Sequence, residues 1–130
     1  MTRDCVLPLL GPLIAANDAG KRLSEYLADL PTRRTATGRL QEIPREASLA
    51  LVDALKEGDT GWLPEGLGEI VEVDETDGFR MTFETGRIVH MRPSGNAPEL
   101  RCYVEAEASD VAEDILLSTL KAMQLRVSEA

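Results

Sequence analysis

The hydrophobic pattern changes its period midway along the chain, and this change restricts the folds that the chain can adopt. In the second half, apolar Phe79, Met81 and Phe83 alternate with polar residues, which predicts a strand with one buried face. The runs that begin at Arg45 and Ser109 instead place apolar residues at helical spacing. Because two such helices can cover one face of a sheet, the pattern predicts an α+β fold.

From residue 32 onward, the predicted order is strand, helix, strand, strand, strand, helix. An Asp77-Gly78 pair, a typical hairpin signal, joins two of these strands. We interpret the run from Arg87 to Met91 as entering a loop and continuing beyond it as Leu100 to Ala106. This interpretation gives a four-stranded antiparallel sheet with two helices on one face.

Residues 1–31 are predicted to form a helical segment that precedes a domain of residues 32–130. Pro12 is expected to bend or end the first helix, because proline lacks the N–H that an interior helical turn needs. A second helical face follows, and Pro31 is expected to stop it.

The composition of the chain limits the classes of molecule that it is expected to bind. The formal net charge is −9, which argues against a nucleic-acid or anionic-membrane binder, since both need a basic face. No apolar run approaches the roughly 18 residues of a membrane span. Cys5 and Cys102 are expected to be free thiols of a reducing compartment, so we expect a cytoplasmic protein. The single histidine, His90, cannot form a metal site alone, and no serine has a neighbouring base that would suggest catalysis.

The loop that follows Met91 carries the most specific chemistry. Gly95 can take φ > 0 without steric cost, and such a loop can turn several N–H groups toward one anion. Ser94 and Asn96 add side-chain donors, and Arg92 adds a planar fork that matches phosphate oxygens. The residues alone therefore indicate either phosphate capture or ordinary turn chemistry.

The same stretch resembles the phosphate-binding loop in the last domain of the α-D-phosphohexomutases, the phosphomannomutase/phosphoglucomutase family. That family's usual pattern is Arg-x-Ser-Gly-Thr-Glu-Pro, with an Arg and a Glu-Ala strand end shortly after. The matching positions are Arg92, Ser94, Gly95, Pro98, Arg101, Glu105 and Ala106. Asn96 stands where threonine is commoner and keeps a donor, whereas Ala97 replaces a glutamate and inherits no role. This version is most similar to the bacterial phosphomannomutase members.

The resemblance implies a TATA-binding-protein-like sheet and a substrate-phosphate site formed by Arg92, Ser94, Gly95 and Asn96. Arg101 either assists this site or only pairs with Glu99 or Glu105. The resemblance also makes residues 1–31 the end of a preceding domain plus a linker, with a hinge near residues 28–32.

Family members carry a catalytic serine and an Asp-x-Asp-x-Asp loop for Mg²⁺ in earlier domains, and neither motif is found in this sequence. The resemblance thus implies the C-terminal domain of an isomerase that interconverts mannose or glucose 6-phosphate and 1-phosphate. Its partners would be the hexose phosphate and the upstream catalytic domains, Mg²⁺ would belong to the parent enzyme, and the 130 residues alone would be inactive. The alternative is a stand-alone, non-catalytic module that binds a phosphorylated ligand or a protein. The leucines of residues 7–30 distinguish these two alternatives. They should be exposed in a piece of a longer enzyme and buried in a stand-alone module.

Overall fold

A computed structural model of the protein describes residues 5–30 and 32–129, and the chain divides into two compact units, Met1–Thr32 and Arg33–Ala130. Pro31, the predicted stop of the second helix, lies outside the described residues. In the described part of the chain, no helix is both long and apolar enough to cross a membrane.

The first unit contains two helices, α1 (Val6–Asp18) and α2 (Leu23–Ala28). Helix α1 does not end at Pro12, which lies inside it, so the loss of one backbone donor is tolerated there. The apolar side chains of α1 are mostly turned to solvent; the large exposed ones are Val6, Leu7, Leu9, Leu10, Leu13 and Ile14.

The second unit is an antiparallel sheet with two helices, which confirms the predicted α+β class. Its elements are β1 (Arg34–Gln41), α3 (Arg45–Lys56), β2 (Ile70–Asp74), β3 (Phe79–Phe83), β4 (Ile88–Pro93), β5 (Glu99–Ala106) and α4 (Ser109–Glu129). The strands lie in the order β1-β5-β4-β3-β2.

The predicted number of strands was wrong, because the sheet has five strands rather than four. The loop after Pro93 reverses the chain, so the runs on its two sides count as two strands. As a result β4 and β5 are separate neighbours, with Met91 opposite Cys102 and Val89 opposite Val104.

Both helices of the second unit pack on the same face of the sheet. The buried layer takes every second residue of the strands, including Met81, Val89 and Val104, together with Leu55 of α3 and Met123 of α4. This alternation is what the period of two predicts. The other face carries polar side chains, so the sheet separates an apolar layer from a charged surface.

The two cysteines are free, as predicted. Cys5 is exposed, whereas Cys102 lies in the core and burial raises the pKa of its thiol to about 12. The Cys102 thiol is therefore protonated and inert in the folded protein.

Candidate functional site

The loop between β4 and β5 is a tight reversal held by its own backbone. The Ser94 N–H donates to the Glu99 carbonyl at 2.9 Å, and the Glu99 N–H donates to the Ala97 carbonyl at 2.8 Å. The Pro98 carbonyl accepts the Ile43 N–H at 3.1 Å, which ties the loop to the connection between β1 and α3. The loop is thus fixed at both of its sides.

A cleft of about 230 Å³ opens beside this loop. It is lined by Arg45, Ser94, Gly95, Asn96, Ala97 and Pro98. Ser94 is only 8% exposed, and its Oγ accepts the Asn96 N–H at 3.5 Å. The structure therefore brings three of the predicted site residues, Ser94, Gly95 and Asn96, to one cleft.

A second cleft, of about 210 Å³, shares Arg45, Ser94 and Gly95 with the first. The shared residues make Arg45 and the loop a common border between the two clefts. An added Cβ at Gly95 would meet no atom within 4 Å, and Gly95 is not among the residues with positive φ. The conformational freedom expected of Gly95 is thus not used in this structure.

Arg92 projects from β4 on the face of the sheet that carries no helix. Its Nε lies 2.9 Å from Asp77 Oδ1, and its side chain is 42% exposed. Asp77 belongs to the turn between β2 and β3. Its carbonyl oxygen lies 2.6 Å from His90 Nε2. Arg92 therefore holds this turn through its Nε, and it is not among the residues that line either cleft.

Arg101 lies in the same row as Arg92. The strand registers place Arg39 opposite Arg101 and Arg101 opposite Arg92, so three arginines cross β1, β5 and β4 side by side. Adjacent like charges repel, and Glu99 offsets part of that repulsion by accepting from Arg39 at 3.0 Å and from Arg101 at 3.4 Å. Of the two roles left open for Arg101, the structure shows the pairing with Glu99. Glu105 lies 3.9 Å from Arg80 instead.

Arg45 lines both clefts but is not among the residues that the sequence pattern singles out. Helix α3 begins at Arg45 after Pro44, and the helix has no side-chain cap. A cation in the first turn is unfavourable beside the positive end of the helix dipole. That mismatch of charge and position is the signal that could have identified Arg45.

The acidic turn after β2 has the structural role that its sequence predicts. The Thr76 N–H donates to Asp74 Oδ1 at 2.8 Å. Hydrogen bonding from the Thr76 side chain, and then from its backbone, holds the pKa of Asp74 below its usual value. Among residues 5–30 and 32–129, no group of three histidine, cysteine, aspartate or glutamate side chains could hold a metal ion.

Comparison with known proteins identifies relatives of the whole chain. Residues 35–121 match the family described as "Phosphoglucomutase/phosphomannomutase, C-terminal domain". A phosphomannomutase of Sinorhizobium fredii (strain NBRC 101917 / NGR234) is 46% identical over 121 residues, which are 92% of this chain and 26% of the relative. A phosphomannomutase of Salmonella muenchen is 37% identical over 132 aligned positions, 99% of this chain and 27% of the relative. The chain thus spans about a quarter of the length of these relatives.

Proposed function

Since the chain belongs to the phosphoglucomutase/phosphomannomutase C-terminal domain family, we propose that it binds the phosphate of a hexose phosphate that is not reacting. Domains outside this chain would transfer the other phosphoryl group. The two relatives are phosphomannomutases by name, which favours mannose 6-phosphate and mannose 1-phosphate as the pair that is interconverted.

The observation that carries this proposal is the cleft beside the β4–β5 loop. Ser94 and Asn96 border it with hydroxyl and amide donors, and Gly95 leaves its backbone open to a ligand. Each hydrogen bond to a charged oxygen contributes about 1.5–3 kcal/mol. Several such bonds would hold one phosphate without reading the sugar attached to it.

Arg92 is proposed to join the phosphate site without leaving Asp77. The ion pair to Asp77 uses Nε, which leaves the two terminal nitrogens of the guanidinium as donors. Asp77 would then fix the orientation of the fork. Arg101 is proposed to support the loop indirectly, since Glu99, its partner, is also the residue that closes the loop.

A mutase needs a site that recognises phosphate and does not discriminate between the sugar positions to which it is attached. The proposed intermediate carries two phosphates and must turn over between the two transfer steps, so the loop must accept either phosphate in turn. Binding energy from the remote phosphate can orient the reacting end of the sugar. The loop's role would therefore be positional.

The exposed leucines of α1 support a chain that continues into other domains. Leu7 is 73% exposed and Leu9 is 65% exposed, which is a costly arrangement unless another surface covers them. We propose that this surface is an upstream catalytic domain, with Mg²⁺ and the phosphorylated serine also outside this chain. The same exposure counts against a stand-alone binding module. The hinge would lie near residues 28–32.

Nuclear magnetic resonance of the isotope-labelled chain tests the proposal. Mannose 1-phosphate, mannose 6-phosphate and unphosphorylated mannose are titrated separately. We expect both phosphates to shift the amide signals of residues 94–97 and 99 and mannose to leave them unchanged. If mannose shifts the same signals, or if neither phosphate does, the assignment of the loop as a phosphate site fails.

A further inference from the structure

We propose that Arg45 is a direct ligand of the phosphate in the loop cleft. This inference rests on the proposed function and adds the residue that would provide most of the positive charge inside the cleft.

A strained backbone turn brings Arg45 to the loop. Glu42 has φ of 60°, and it is the one non-glycine residue with positive φ among those that the structure describes. Such a conformation is unfavourable for a residue with a side chain and persists where the surrounding structure requires it. After this turn the Ile43 N–H bonds to the Pro98 carbonyl, and α3 starts two residues later. The turn therefore fixes the start of α3 against the loop.

The charge of Arg45 is unfavourable in the absence of an anion. The first turn of a helix carries a partial positive charge from its unpaired N–H groups, and α3 has no side chain that caps them. Glu46 in the same turn offsets part of this positive charge, and an anion bound nearby would offset more of it. A bound phosphate would pair with the guanidinium of Arg45 and would accept from the unpaired N–H groups at the start of α3.

Arg45 also differs from the arginines of the sheet in its bonding. Arg39, Arg92 and Arg101 each have a carboxylate within 3.4 Å. In the part of the chain that the structure describes, the side chain of Arg45 has no hydrogen bond or ion pair. Its guanidinium is thus the one beside the loop whose donors are all uncommitted.

A buried donor completes the cleft. Ser94 lines both clefts that Arg45 lines and is 8% exposed. Its hydroxyl accepts one long bond from Asn96, and no acceptor for the hydroxyl proton is found among the described residues. A nearly buried hydroxyl with an unused proton needs an acceptor. A phosphate oxygen bound by Arg45 and Ser94 would supply it.

The test is a titration of the 130-residue chain with inorganic phosphate at constant ionic strength, followed by nuclear magnetic resonance. The variants are Arg45→Ala, Arg45→Lys and the control Arg34→Ala, which removes an exposed arginine at the far end of β1. We expect Arg45→Ala to raise the Kd about tenfold, and Arg45→Lys to raise it less because it keeps the charge but loses the fork. Arg34→Ala should change the Kd less than about twofold. The Nε–H signal of Arg45 should move together with the loop amides.

Two outcomes overturn the inference and are distinguishable. If the loop amides of the unaltered chain shift while Arg45→Ala and Arg34→Ala bind equally well, Arg45 is not a ligand and the loop assignment stands. If phosphate shifts no loop amide of the unaltered chain, the proposed function fails and the inference fails with it.

Discussion

Arg45 beside the loop and the arginines at the opposite end of the sheet differ in their partners. At the end farthest from the loop, Arg87 donates to both oxygens of Glu107, at 3.2 Å and 2.6 Å, and to the Gly66 carbonyl at 3.2 Å. Arg33 donates to the Gly86 carbonyl there at 2.7 Å. These acceptors are built into the fold, so the arginines of this end stabilise connections between strands.

At the loop end, Arg45 borders a cleft whose lining includes side chains that can donate hydrogen bonds. Ser94 and Asn96 share that cleft with it, and no carboxylate is among its lining residues. Arg39, Arg92 and Arg101 at the same end each pair with a carboxylate. The difference teaches that, among the described arginines at the loop end, Arg45 alone lacks the acceptor that Arg87 has at the far end. This contrast is consistent with our proposal that an oxyanion binds in the cleft beside Arg45, whereas Arg33 and Arg87 already have protein acceptors.

The largest expected effect is on the free energy of unfolding, at the β2–β3 turn that packs against β4. A Cβ at Gly78, where φ is +93°, would lie 2.3 Å from the Met91 carbonyl oxygen. Gly78→Ala should therefore lower the free energy of unfolding by about 2–4 kcal/mol, measured by urea denaturation. Gly95→Ala is the matched control, since its Cβ would meet no atom within 4 Å. Equal stability of the two variants would show that the β2–β3 turn does not pack on β4 as described.

The second prediction compares one arginine from each end by thermal unfolding. Arg87→Ala should lower the Tm by several degrees, because Glu107 and the Gly66 carbonyl lose their donor. Arg45→Ala should leave the Tm unchanged or raise it slightly, because it removes a cation from the helix N-terminus and adds a good helix former. A lower Tm for Arg45→Ala than for Arg87→Ala would reverse the proposed division of roles.

The third and smallest effect is a dependence on pH at the far end. The hydrogen bond from Arg87 lowers the pKa of Glu107 from 4.5 to about 2. A lowered pKa in the folded state means that the stabilisation is fully present above pH 4.5 and is lost as the pH falls toward 2. Glu107→Gln should therefore make the stability curve shallower between these two pH values, as measured by denaturation at a series of pH values. An unchanged slope would show that Arg87 and Glu107 do not form the pair in solution.

Local patterns were sufficient to predict the layers of the fold. The alternation of Phe79, Met81 and Phe83 reports a buried face directly, because side chains of a strand point to opposite faces in turn. The Asp77-Gly78 turn was also predictable from its own chemistry. The number of strands was not predictable from local patterns. Whether a loop continues or reverses a strand depends on pairing with residues far away in the sequence.

The site was predictable only in part for the same reason. The loop residues Ser94, Gly95 and Asn96 are contiguous and were proposed together. Arg45 precedes them by about 50 positions and reaches them only through the turn at Glu42 and the Ile43–Pro98 bond, which no local pattern encodes. The pairing of Arg92 with Asp77 likewise depends on the register between β3 and β4.

The most direct measurement is a crystal structure of the chain with bound tungstate, a heavy-atom analogue of phosphate that anomalous scattering locates without ambiguity. Our account places the tungstate in the loop cleft, in contact with Ser94 and the guanidinium of Arg45. Tungstate bound instead along the row of Arg39, Arg101 and Arg92, or beside Arg87, with the loop cleft empty, would contradict it.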